Sequence, residues 1–341
     1  MVLAEPELKT AYLNEWIVPK NKIKVLLLSI HYPLAMKSYF ERAFRRRDDV
    51  DLITTGPYTG TFIPWMGGMS LPEKYAKPPT IPLPFPPNIG RVSYDFVKAQ
   101  LPKDWTPDII LSIDAGINWS SKPQDGVVCT IATDPHALNY DYQRSISDKF
   151  FNMQLCYSES KDIYLPYAYD PTVHYYEKYE FSEPTEHLKI QSLIEKTKDT
   201  DAVLIGMPYE NRVRWVDELR KHGVSVIFEN SPVFDEYREL ANRARIGLNW
   251  SSMNDLNARF FETPAFGLAP VMNRVPDAGM FLDEEEDYIG FDNLNGAIEG
   301  VLYLKNNPDK AQEMANNAFR HIEPHTYDKR VDDILRECGF A

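Results

Sequence analysis

The chain has 341 residues, more than the roughly 250–300 at which a single hydrophobic core stops growing, so two domains are expected. Hydrophobic residues at 43% and charged residues at 26% exclude a disordered or fibrous chain. The formal net charge of -13 leaves nucleic acid possible only through a local basic groove, and so disfavoured.

The N-terminus lacks a basic-then-apolar leader, and no apolar run approaches the ~18 residues of a membrane span. The cysteines, Cys129, Cys156 and Cys338, are odd in number and far apart in sequence, which predicts neither a disulfide framework nor a zinc site. A cytoplasmic protein with no membrane span is expected.

In chain order, "KIKVLLLSI" (residues 22–30) is an apolar run bounded by charge, as in a strand buried on both faces of a parallel sheet. "PLAMKSYFERAFRRR" then spaces Leu34, Met36, Tyr39, Phe40 and Phe44 as a helix, and "VDLITTG" returns as a strand. The stretch 56–88, rich in Pro, Gly and aromatics, is too long for an idle connection. It reads either as an acceptor loop offering Tyr58, Phe62 and Trp65, or as an excursion packed by its own aromatics. "PDIILSIDAG" and "GVVCTIATD" are further buried strands, placing Asp114 and Asp134 at their carboxyl ends, where open α/β sheets bind ligands and where turn aspartates are also common.

A proline-broken, increasingly acidic segment follows, and the domain boundary is expected near residues 175–190. Strand and helix patterns then alternate again: "DAVLIGM", "NRVRWVDELRKHG", "VSVIFE", "DEYRELANRAR", "IGLNW" and "APVMN". Three helices close the chain, "LNGAIEGVLYLKNN", "PDKAQEMANNAFRHI" and "TYDKRVDDILREC", the second with Pro308 at its start. The fold class is α/β, with two Rossmann-like domains in tandem.

The stretch "NDLNARFFETPAFG" concentrates the chemistry. Asn257 is placed to cap a short helix whose free N–H groups, with the Arg259 fork, suit a diphosphate. Glu262, one turn on, offers an acceptor-only carboxylate to ribose hydroxyls, and Pro264 and Gly267 keep the helix short. A plain helix cap with a surface Glu/Arg pair accounts for the same residues. Gly206 and Arg212 form a second anion candidate, whereas Arg214 reads as a solvated helix residue. "DVD" at 49–51 reads as charge flanking a turn rather than a metal motif.

The blocks "LNW…NDLNARFFETPAFGLAPVMN" and "HTYDKRVDDIL" resemble the C-terminal half of GT-B glycosyltransferases of the CgeB-like (spore-maturation type) group, related to retaining group 1 glycosyltransferases. "ATDPH" and "YLPYAYDPTVH" resemble the group's first half in order. The resemblance implies an N-terminal acceptor domain over 1–180, joined by a returning helix at 326–341, and a donor domain over 190–325. It also implies a metal-independent hexosyl transfer, with retention of configuration, from a nucleotide-sugar, UDP-linked above others. The acceptor would be a glycan, small molecule or protein.

Arg212 and Arg259 then match positions that neutralise the leaving diphosphate, and Glu262 the ribose position. Asn254 falls where related enzymes carry a sugar-contacting glutamate, with Asp255 beside it to supply charge. Asp134 and His136 match the loop facing the donor. His31 is a further cleft candidate, and His321 and His325 read as surface or hinge residues. The alternatives are a viral-type transferase acting on DNA bases and a non-catalytic nucleotide-sugar binder.

Overall fold

The computed structural model describes residues 22–63, 69–84, 90–114, 116–176 and 198–340. Trp65 lies outside the described residues, and the expected domain boundary falls largely on 177–197, also outside them.

The first half runs β1 (Ile23–Leu28), α1 (Lys37–Arg45), β2 (Val50–Pro57), a short antiparallel pair β3 (Phe62–Ile63) and β4 (Met69–Ser70), and β5 (Ile81–Leu83). It continues through β6 (Gly90–Val92), α2 (Tyr94–Lys98), β7 (Ile109–Ile113), β8 (Ile117–Trp119), β9 (Val127–Ala132), α3 (Asp141–Ile146), β10 (Lys149–Asn152) and β11 (Ile163–Tyr164). Seven strands form one parallel sheet in the order β11-β10-β9-β7-β1-β2-β5. Its centre is the apolar run read from the sequence: Val25, Leu26, Leu27 and Leu28 are fully buried because helices and loops cover both faces.

The second half runs β12 (Thr200–Ile205), α4 (Glu210–Lys221), β13 (Val226–Glu229), α5 (Asp235–Asn242), β14 (Ala244–Asn249), α6 (Arg259–Ala265), β15 (Ala269–Asn273), β16 (Ile289–Phe291), α7 (Leu294–Asn306), α8 (Pro308–Ile322) and α9 (Tyr327–Glu337). Its five strands are also parallel, in the order β13-β12-β14-β15-β16. Two Rossmann-like sheets in tandem are thus present, as the sequence predicts.

Helix α9 leaves the second half and lies on α1 of the first. Tyr327 stacks on Tyr39 with centroids 5.1 Å apart and planes at 7°, and Arg330 donates to the Pro166 and Tyr167 carbonyls at 2.8 and 3.1 Å. One apolar cluster therefore runs from Phe40 and Phe44 through Tyr327 and Val331 to Phe260 and Phe261 of α6. It ties the helix that opens on the site to the first domain's core.

Candidate active site

In the second sheet the strand order reverses between β12 and β14, and a crevice opens at their carboxyl ends. Ile205 and Gly206 finish one strand, Asn249 and Trp250 the other. Arg259, first residue of α6, spans them: its Nη1 donates to the Ile205 carbonyl at 2.8 Å and its Nε to Asn249 Oδ1 at 3.3 Å. From α4, Arg212 donates through Nε and Nη2 to the Trp250 carbonyl at 3.0 and 2.8 Å, and through Nη1 to the Met207 carbonyl at 3.1 Å.

Both guanidinium groups lie against Gly206. A Cβ there would sit 2.5 Å from Arg259 Nη1 and 3.2 Å from Arg212 Nη1, and its φ of +149° is a glycine conformation. Neither arginine has a carboxylate ion-pair partner among the described residues, and burial, with Arg259 beside it, pulls the Arg212 pKa down to about 9. A buried cation beside a second, half-buried one is costly until an anion supplies the counter-charge.

Glu262 follows on α6 and is buried, facing the same space. Tyr237 from α5 donates to its Oε2 at 3.1 Å. His174 Nε2 stands 3.5 Å from Oε1, and the Asp170 N–H donates to His174 Nδ1 at 2.9 Å, which places the ring proton on Nε2. Burial pushes the Glu262 pKa up to about 7, against the pull of Arg259 and of the Tyr237 hydroxyl.

The first domain contributes from the ends of β7 and β9. Tyr140 donates to Asp114 Oδ1 at 3.2 Å and Thr133 to Asp134 Oδ2 at 3.0 Å. Burial, then the negative charge of Asp114, raises the Asp134 pKa above the usual carboxylate range. His136 sits beside it with a buried Nδ1 that has no hydrogen-bond partner among the described residues. Asp255 is held by the Ser251 hydroxyl and by Gln154 Nε2 at 3.3 Å. Gln154 also exchanges bonds of 3.0 and 3.2 Å with the Leu256 backbone, which clamps the site loop to the first domain.

Asp114, Asp134, His136, Gly206, Arg212, Asp255, Asn257, Arg259 and Glu262 all line one interdomain cavity of about 440 Å³. Four expectations are corrected. Asn254 is exposed and outside the cavity lining, at φ +55°, a left-handed turn that asparagine tolerates and glutamate does not favour. Asn257 is not the cap of α6: that position is Ala258, and Asn257 exchanges two side-chain bonds of 3.0 Å with Asn249 instead. His31 is buried in the first domain, bonded to the Thr55 carbonyl at 3.2 Å and driven by burial to a pKa of about 3. Tyr58 pairs with His31 in a β-bridge and stays out of the cavity lining.

The structure adds Tyr32, Tyr39, Tyr167, Tyr209 and Tyr237 to the walls. Tyr39 was read only as part of a helical stripe and Tyr167 only as part of the "YLPYAYDPTVH" block, and no pattern grouped the five, because they come from separate elements. His174 had a signal, since it ends the "YLPYAYDPTVH" block, but only the fold sets it against Glu262. Arg212 is buried and Arg214 exposed, as helical periodicity requires of their roles. Among the described residues Asp283, Asp287 and His321 have ligand atoms within 4.8 Å of one another, and none of them lines this cavity.

Two parallel Rossmann-like sheets facing across a cleft, with a C-terminal helix crossing back, define the GT-B fold. Solved structures agree. Sucrose-phosphate synthase from Thermosynechococcus elongatus matches at a TM-score of 0.57 and 11% identity, over 93% of this chain and 99% of that one. Anabaena HepE, solved with UDP-glucose, gives 0.57 and 10% over 92% and 99%. An alpha-glucosyltransferase solved with UDP and DNA gives 0.56 and 10% over 93% and 99%. Residues 187–336 match the model of the family described as glycosyl transferase-like. A comparison with curated proteins finds no match.

Proposed function

We propose that this protein is a glycosyltransferase that moves a sugar from a UDP-sugar to an acceptor hydroxyl across the interdomain cavity. The observation that carries the reading is the pair Arg212 and Arg259, which lie over Gly206 with no carboxylate ion-pair partner among the described residues and with Glu262 beyond them. The diphosphate lies on the two guanidinium groups and the ribose hydroxyls donate to Glu262. As the acceptor oxygen bonds to the anomeric carbon, the bond to the diphosphate oxygen breaks. UDP leaves with its growing negative charge met by Arg212 and Arg259, a task that needs no metal when two fixed cations perform it. Asp134, with its raised pKa, takes the acceptor proton. The resemblance of the 254–267 block to retaining enzymes implies retention of anomeric configuration, for which the acceptor oxygen enters on the same face of the sugar that the diphosphate leaves.

A DNA acceptor is the weaker reading. The one concentrated basic patch, Arg45 to Arg47, is spent on ion pairs with Glu41, Asp170, Asp328, Asp49 and Asp332. UDP release measured over a set of UDP-sugars, with the product anomer read by NMR, tests the proposal. Arg259→Ala is expected to cut turnover roughly 100-fold or more, as removal of a leaving-charge donor does elsewhere. Tight UDP binding with no release from any donor would make the protein a binder instead.

A further inference from the structure

The first sheet reverses its strand order between β1 and β7, and a second cavity of about 630 Å³ opens at that point. Ser29 and Ile30 wall it on one side, Ile113 and Gly116 on the other. Tyr32, Met36 and Asp114 line both cavities, so the two adjoin there. The walls are mainly apolar. Asn118 brings a buried Oδ1 with no hydrogen-bond partner among the described residues, and Lys37 brings a buried ammonium already paired to Glu41 at 2.8 Å. Arg91, in register with Asn118 across β6 and β8, is different. Its guanidinium lies over the Tyr142 ring at 3.9 Å from the centroid and makes no hydrogen bond or ion pair among the described residues. Tyr142 is itself fixed by donating to the Trp119 and Ser120 carbonyls at 3.0 and 2.8 Å.

A stacked guanidinium keeps its in-plane N–H fork available, and that fork matches a carboxylate or a phosphate. With Lys37 balanced by Glu41, Arg91, which is exposed, is the cation lining the chamber that lacks an ion-pair partner among the described residues. Asp114 lines the chamber where it adjoins the first cavity. An anion is therefore favoured beside Arg91.

We propose, resting on the glycosyltransferase reading above, that this chamber seats the acceptor and selects one bearing a carboxylate or phosphate. That group pairs with Arg91 while the hydroxyl-bearing end passes Asp114 toward Asp134.

Matched ligand pairs test this on the full chain saturated with UDP: glucuronate against glucuronamide, salicylate against salicylamide, and glycerol phosphate against glycerol, each titrated by calorimetry or ligand-observed NMR. At least one acid is expected to bind about tenfold more tightly than its neutral partner, and the carboxylate and phosphate pairs tell the two anions apart. Arg91→Gln should abolish that preference with UDP affinity unchanged, and Arg91→Lys should keep part of it. Equal binding within every pair, no binding by any acid, or a preference that survives Arg91→Gln would each overturn the proposal. Failure of the unmodified protein to bind UDP is a separate result, which sinks the underlying reading and the proposal together.

Discussion

Glu262 is held near its titration point because burial raises its pKa to about 7 while Arg259 and Tyr237 oppose the shift. Ribose hydroxyls need an acceptor, which the ionised carboxylate is and the protonated one only partly is. Binding that requires the ionised form must weaken as protons compete for it. UDP affinity, measured calorimetrically, is therefore expected to fall as pH drops through about 7, and Glu262→Gln should bind weakly with that dependence removed. Asn254 makes the opposite point. At φ +55° a glutamate is strained by roughly 1–2 kcal/mol, and the residue is exposed and absent from the cavity lining. Asn254→Glu, which restores the residue type of related enzymes, should lower stability by about that amount and leave turnover unchanged; a clear rise in turnover would return position 254 to the site.

At the scale of elements, the long apolar strands were legible because each carries several buried residues in a row. The short ones, β5, β6, β8, β10 and β11, contribute two to four residues apiece and show no period of their own. Ala244 and Arg245, read as the end of a helix, open β14 instead: ladder bonds to β12 outweigh local helix preference. Helix α6 is set by close contact. A Cβ on Gly247 would come 2.1 Å from the Thr263 methyl and 3.3 Å from Leu268, so α6 reaches its position over the crevice only because β14 has no side chain there. Gly247→Ala is expected to cost about 1–3 kcal/mol in chemical denaturation, as overpacking does, and to weaken UDP binding by displacing Arg259 and Glu262. Adding Thr263→Ser, which deletes the methyl, should recover part of both losses.

At the scale of the molecule, residues far apart in sequence meet through α9. Cys129 and Cys338, far apart in sequence, bring their sulfur atoms to 3.4 Å as free thiols. Tyr327 is fully buried between the halves, and its hydroxyl donates to Met36 Sδ at 3.0 Å. Tyr39, on which it stacks, also lines the interdomain cavity. Tyr327→Ala should therefore cost about 3–5 kcal/mol, the range for large core truncations, with nucleotide affinity falling alongside stability. A thermal melt with and without UDP separates the effects, since UDP stabilises only a chain whose site is assembled. The surface pairs Arg46–Asp328 and Arg47–Asp332 across the same contact contribute little, being open to solvent.

The sequence by itself determined the two α/β halves, because apolar runs and helical spacing are local properties that burial reads residue by residue. It also marked Gly206, Arg212, Arg259 and Glu262, whose types carry charge or conformational freedom that local structure does not require. Only the tertiary structure decided which of the marked residues share one space. It turned Asn254 outward, buried His31, placed His174 and Tyr237 against Glu262, and joined a second chamber to the first at Asp114. Those outcomes depend on distances between elements distant in the chain, which no local pattern encodes.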